Sequence, residues 1–311
     1  MTTDPTLPEQ TAPEAPARVE PDVYTGEYYL TNCHGYEDFI MSRGRKVGPR
    51  FVKALQLAGD LRGKRVLDVG CGRGELILQS ALGGADAWGI DYAHAAVEIA
   101  RKALESGQGD VPSERLHVAQ MDVKALEFGD RFFDVAFMMD VVEHLYPREL
   151  AQTFDELRRT IRPGGLLVMH TSPNKVLEDV VYKRYSRHVN RIALGAARRL
   201  RMQDALFNDV MLSDDPEFPH DRFEREMHIN EQTAPKLRAE TERHGFRVRR
   251  IEFWEPPAQH GYFTSRRLNL ELKVLDFVRF LRPISYYPPL NRWFCNHIWM
   301  VAERTRARTK P

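Results

Sequence analysis

The chain has 311 residues, enough for one large domain or one domain with an insertion, and 42% of them are hydrophobic. Lys and Arg number 45 against 44 Asp and Glu, a formal charge of +1, which argues against the strongly basic surface of a general nucleic-acid binder. Three scattered cysteines (Cys33, Cys71, Cys295) without a C-x-x-C pair, no apolar run near the ~20 residues of a membrane span, and no apolar signal core argue against a disulfide framework, a transmembrane helix and secretion, so a cytoplasmic protein is expected.

Residues 1–20 are rich in Pro, Thr, Glu and Ala and read as a disordered tail. A segment over 21–60 follows, with the aromatics Tyr24, Tyr28, Tyr29, Tyr36 and Phe39 and then a helical pattern at Val47–Leu57. Over 61–175 strands and helices alternate. The strands are Arg65–Val69, Ala87–Ile90, Leu116–Ala119, Phe133–Met139 and Leu166–Thr171, the last introduced by a turn at Arg162-Pro163-Gly164-Gly165; the helices are Glu75–Leu82, Ala93–Glu105 and Glu149–Arg159. This order predicts an α/β fold: a doubly wound, mostly parallel sheet with helices on both faces. A basic stretch over 176–230 interrupts the alternation. A helix at Glu231–His244 and a strand at Phe246–Phe253 resume it within 231–304, which also holds an aromatic, proline-rich insertion and a last strand at His297–Ala302; 305–311 is a basic tail.

The sharpest signal is Val66-Leu67-Asp68-Val69-Gly70-Cys71-Gly72-Arg73-Gly74, a buried-strand pattern ending in Gly70, Gly72 and Gly74 before a helix. Without Cβ atoms the backbone can turn sharply and a ligand can approach it closely. Dinucleotide enzymes use similar loops. Asp68 shifts the reading: a pyrophosphate is poorly served by a carboxylate there, whereas a cationic amino group is well served. Asp91 ends the second strand, where a carboxylate can accept both ribose hydroxyls of an adenosine, as in nicotinamide enzymes.

The run through Gly74 resembles the S-adenosylmethionine loop of class I methyltransferases. Asp91, Asp122, the fourth strand running to Asp140, then Val141-Val142-Glu143-His144-Leu145 and Arg162–Gly165 follow in that family's order and spacing over about 64–175. The resemblance implies a seven-stranded, Rossmann-like sheet with a reversed last strand, an N-terminal helical lid and insertions after the fifth and sixth strands. It also implies S-adenosylmethionine as cofactor. The backbone at Gly70, Cys71 and Gly72 would face the methionine part and Asp68 its amino group. Asp122 would take a hydrogen bond from the adenine amino group, with Tyr92 and Met121 flanking the ring. Cys71 reads as a small packed residue rather than a nucleophile, since no base is near it in sequence.

Methyl transfer to a hydroxyl needs positioning and a base. The candidates Asp140, Glu143 and His144 follow the fourth strand. The stretch Asp140–Leu145 resembles that of the ubiquinone-biosynthesis O-methyltransferases, in which an acid three residues before a Glu-His pair in some members helps hold a divalent ion. Here that acid is Asp140 rather than the usual Glu, and no metal is assigned. A structural role for His144, capping a helix or holding the loop, stays open, and His170, His228 and His260 are further candidates. Trp254, Tyr262, Tyr286, Tyr287 and Trp293 of the late insertion would suit an aromatic, glycosidic or lipid-like acceptor.

Residues 183–201 carry seven Lys or Arg and no acid, with Val189, Ile192, Ala193, Ala196 and Leu200 on one helical stripe. This basic helix reads either as a cap over the acceptor pocket or as a weak peripheral contact with anionic lipid. The expected function is methylation of a small-molecule acceptor, most readily at a hydroxyl oxygen, with no nucleic-acid partner: the Asn-Pro-Pro-Tyr motif of amino methylation is absent after the fourth strand. N- or C-methylation, a nicotinamide oxidoreductase and a non-catalytic S-adenosylmethionine binder are the alternatives.

Overall fold

The computed structural model describes residues 19, 21–32, 35–107, 109, 111–186, 188–189, 191–192, 227–255, 277 and 281–306. In chain order these include α1 (Tyr36–Ser42), α2 (Pro49–Ala58), β1 (Arg65–Val69), α3 (Glu75–Leu82), β2 (Asp86–Asp91), α4 (His94–Gly107), β3 (Leu116–Gln120), β4 (Phe133–Met139), α5 (Pro147–Thr160), β5 (Ile161–Thr171), a π-helical segment at Leu177–Ser186, α6 (Ala234–Arg243), β6 (Phe246–Phe253), α7 (Asn291–Phe294) and β7 (Ile298–Arg304). The strands form one sheet in the order β3-β2-β1-β4-β5-β7-β6. β1 to β5 pair in parallel, and β7 runs antiparallel to both β5 and β6. The doubly wound sheet with a reversed last strand is therefore the observed fold.

Strand alternation builds the two faces. Leu67, Val69, Ala136, Met138, Leu167, Met169, Met300 and Ala302 pack beneath Leu150, Phe154 and Leu157 of α5 and Leu237 of α6. Val66, Val135, Phe137, Val168 and Trp299, one residue out of phase, pack with Ala54 and Ala58 of α2. Helix α5 forms because its buried residues recur at three- and four-residue spacing, Pro147 opens it, and Glu149 turns back to accept from the Tyr146 N–H at 3.0 Å.

One expectation is corrected. Strand β5 starts at Ile161, not Leu166, and the Arg162–Gly165 turn is an irregularity inside it. Phe133 pairs with Ile161, but Val135, two residues on, pairs with Leu166, five residues on. The surplus loops out at Gly164, whose φ of +83° suits glycine. The helices Glu231–His244 and Val47–Leu57 form over Ala234–Arg243 and Pro49–Ala58.

Phe154 is fully buried at the centre of the larger core cluster. Phe154→Ala should lower unfolding stability by about 3–5 kcal/mol, read in urea as a lower midpoint with an unchanged slope.

Candidate active site

The sheet reverses its winding between β1 and β4, which pair directly. Loops leaving the carboxyl ends of these strands diverge to opposite faces and leave a crevice between them. A cavity of ≈ 390 Å³ occupies it, and Asp68, Gly70, Cys71, Gly72, Asp91, Tyr92, Met121, Asp122, Asp140, Glu143 and His144 all line it. Gly74 lies just behind, with φ +84° at the N-terminus of α3. At Gly70, φ is +68° and a Cβ would fall 2.6 Å from the Val141 side chain. The turn that joins β1 to α3 therefore needs glycine there.

Around this turn three carboxylates are buried: Asp68, Glu75 and Asp91. Arg73 pairs with Glu75 at 2.8 Å and donates to the Tyr29 carbonyl at 3.0 Å. Asp91 accepts from the N–H groups of Gly72 (3.0 Å) and Ala93 (2.9 Å). Among the described residues no ion pair reaches Asp68 or Asp91. Burial, with Glu75 and Asp91 adding repulsion, pushes the Asp68 carboxyl well above the usual range. Burial also raises Glu75 and Asp91, against Arg73 in the first case and the backbone N–H groups of Ala93, Gly72 and Tyr92 in the second. The pocket is short of positive charge and suits a cationic ligand group. Burial, followed by Asp91 and Asp68, also lifts the Cys71 thiol, which is a poor thiolate and a packing residue.

At the other end of the crevice, Tyr92 and Met121 flank the mouth of β2 and β3. Asp122 accepts from the Lys124 N–H at 2.9 Å, and the Lys124 ammonium lies 3.3 Å from Asp122 and 2.5 Å from Glu149. Asp134, at the start of β4, faces the opposite edge of the sheet, where its side chain accepts from the Arg65 N–H at 2.7 Å and pairs with Arg162 at 2.6 Å.

The corner after β4 holds the candidate bases. Asp140, at φ +54°, has one oxygen 2.9 Å from Arg50 Nη1 and the other 2.6 Å from His170 Nδ1. Burial opposes its charge, but Arg50 and His170 prevail and hold its carboxyl below the usual range. Such a carboxylate is a weak proton acceptor. Glu143 is buried, accepts from the Thr171 hydroxyl at 2.7 Å, and takes Ile229 and Asn230 N–H groups on its carbonyl. Burial and then the Asp140 charge push its carboxyl up to about 8. His144 Nδ1 lies 3.2 Å from the Met227 carbonyl and 3.1 Å from the Tyr24 hydroxyl. A carbonyl only accepts, so Nδ1 carries the proton and Nε2 the lone pair. His228 stands beside it with ring centroids 5.0 Å apart. Ligand atoms of Glu143, His144 and His228 lie within 4.8 Å of one another, close enough to hold an ion, whereas Asp140 is committed to Arg50 and His170.

Tyr24, Tyr28 and Tyr29 line the cavity and pack on Ala93 and Ala96. The late aromatics are a correction: Trp254, Tyr286, Tyr287 and Trp293 do not line the cavity, and Tyr287 is 69% exposed. Tyr262 and His260 lie outside the described residues, as do most of the 183–201 helix and nearly all of the 1–20 tail. Of the described part of that helix, Ile192 is exposed. Sequence reasoning passed over Arg50, Arg73, Glu75, Asn296 and His297, all of which line the cavity. The last two had an available signal. A final strand that runs antiparallel begins, rather than ends, at the site edge, so the residues just before it fall there.

Residues 66–165 match the family model described as "Methyltransferase domain". The chain is 35% identical over 135 residues to the ubiquinone biosynthesis O-methyltransferase of Bordetella avium (42% of this chain, 53% of that one). It is 37% identical over 127 residues to that of Aromatoleum aromaticum (40% and 51%). It thus spans about half the length of these curated relatives. A Listeria monocytogenes structure assigned to the S-adenosylmethionine-dependent methyltransferases superposes with a TM-score of 0.51 at 14% identity, over 83% of this chain and 97% of that one, a likeness of fold.

A carboxyl whose pKa is raised by folding costs the fold stability as pH rises, because the unfolded state releases a proton that the folded state keeps. For Glu143 that stability is full below the ordinary value of 4.5 and is lost as pH rises through about 8. Glu143→Gln should therefore flatten the fall of unfolding stability between these pH values relative to the parent, measured by urea titration in a pH series.

Proposed function

We infer that this chain, whose residues 66–165 match a methyltransferase-domain model, is a class I S-adenosylmethionine-dependent methyltransferase that transfers the methyl group of S-adenosylmethionine to a hydroxyl oxygen of a small molecule. The observation that carries this reading is the glycine turn ringed by buried carboxylates. Asp68 and Asp91 lack a cationic partner among the described residues, while Arg50 lines the same cavity. That donor set fits an amino acid with a sulfonium: carboxylates for the ammonium and the ribose hydroxyls, a guanidinium for the α-carboxylate. It fits a pyrophosphate poorly, which disfavours a nicotinamide cofactor.

The cofactor supplies an electrophilic methyl group on a positively charged sulfur. The chain supplies position and proton transfer. Asp91 would take the ribose hydroxyls while keeping the Gly72 and Ala93 N–H groups that orient it. Tyr92 and Met121 would sandwich the adenine beside Asp122. Tyr24, Tyr28 and Tyr29 would keep water from the sulfonium. Glu143, anchored to Thr171 and to the 229–230 backbone, holds the turn that presents His144. With its proton on Nδ1, His144 would offer Nε2 to the acceptor hydroxyl. The likeness of the core to ubiquinone-biosynthesis enzymes supports an oxygen acceptor.

Transfer of a tritiated methyl group to a panel of phenols, quinols and sugars tests the activity. Asp91→Ala should weaken S-adenosylmethionine binding about tenfold or more, since hydrogen bonds to a charged group contribute about 1.5–3 kcal/mol each. His144→Gln should leave that binding within about twofold and lower turnover about a hundredfold. Full activity in both variants would contradict these assignments.

A further inference from the structure

Behind the cavity lies a chain of polar groups that the reading above uses only at its first member. Asp140 Oδ1 meets His170 Nδ1 at 2.6 Å, and His170 Nε2 meets His297 Nδ1 at 2.9 Å. His170 is fully buried in β5, opposite Trp299 in the register and with its ring 4.4 Å from that indole. His297 immediately precedes β7 and lines the cavity with Asn296. The antiparallel direction of β7 puts its first residues at the carboxyl edge of β5, which is why a residue so late in sequence reaches this site.

The polarity of the chain follows from its charged end. Asp140 is ionised and can only accept, so His170 donates through Nδ1. In the state with one proton on each ring, His170 Nε2 accepts, His297 donates through Nδ1, and His297 Nε2 carries a lone pair. The nitrogens of an imidazole point in widely different directions, so this lone pair is directed away from His170. Among the described residues no hydrogen-bond partner meets it. Burial and then the neighbouring His170 and Arg50 hold His297 well below its ordinary value, with Asp140 opposing, so the ring is neutral near pH 7 and ready to accept.

We propose that His297 is a second proton-accepting residue of this site, held in its tautomer by the positioning residues His170 and Asp140. This rests on the methyltransferase reading. An acceptor whose hydroxyl lies against the β7 wall passes its proton to His297 Nε2. The O–H bonding pair stays on oxygen, where it becomes the attacking pair, and the new imidazolium is offset through His170 by the Asp140 carboxylate. The arrangement gives the acceptor a base on the β7 wall as well as on the His144 wall.

The test needs no natural acceptor. The ¹⁵N resonances of histidine in the intact chain should show His297 neutral and protonated on Nδ1 at pH 7, and His170→Gln should mix its tautomers. A His297 protonated on Nε2, or charged at pH 7, overturns the proposal. Independently, 4-nitrophenol added to the S-adenosylhomocysteine complex serves as the proton donor, because its ionised form absorbs visible light. The phenolate band should fall at least about threefold in His297→Gln. A band unchanged in that variant, a band lost only in His144→Gln, or no band in the parent complex overturns the proposal. Calorimetric binding of S-adenosylhomocysteine to each variant checks that the fold and cofactor site persist. If the parent chain binds none, the methyltransferase reading fails, which is distinct from failure of the relay.

Discussion

Three carboxylates buried around one glycine turn are the constraint from which the rest of the site follows. Desolvating Asp68, Glu75 and Asp91 is costly, and of the three it is Glu75 that pairs with Arg73. The fold meets part of that cost with backbone: the Gly72 and Ala93 N–H groups reach Asp91 because the turn is tight, and the turn is tight because Gly70 leaves room for Val141. The remaining deficit is of positive charge. A cationic ligand group in the cavity would restore the balance.

The sheet order places everything else. Pairing β1 with β4 sets the glycine turn beside the β4 exit, so the carboxylate-ringed turn and the acid–histidine corner share one crevice. Inserting β7 antiparallel between β5 and β6 then brings residues from near the end of the chain to the same edge. Asp140 links these regions: it joins Arg50 from α2 to His170 of β5, and through His170 reaches His297. Its left-handed backbone, unusual for a residue other than glycine, aims the carboxylate at both partners.

The parallel core was legible because its signals are local. Strand runs close on a glycine or an acid at Gly70, Asp91 and Asp140, and helical periodicity follows each one. Val66–Gly74 and Asp140–Leu145 declared themselves for the same reason. The start of β5 was misread because Pro163-Gly164-Gly165 normally breaks a strand, and here a bulge absorbs it. The late aromatics suggested an acceptor type, but composition says nothing of direction: Tyr287 and Trp293 are exposed, while Arg50, Asn296 and His297 line the cavity. Arg50 and His297 stand 247 positions apart (297 − 50), and only the closed sheet brings them near Asp140. Such long-range pairing has no signature in a window of neighbouring residues.

The central claim is that the carboxylate-ringed glycine turn is built for the cofactor of methyl transfer and not for a dinucleotide. Calorimetric titration of the intact chain with S-adenosylhomocysteine, and in parallel with NADH, tests it most directly. Micromolar binding of the former with none of the latter is the predicted result. Binding of NADH, or of neither ligand, would contradict the account.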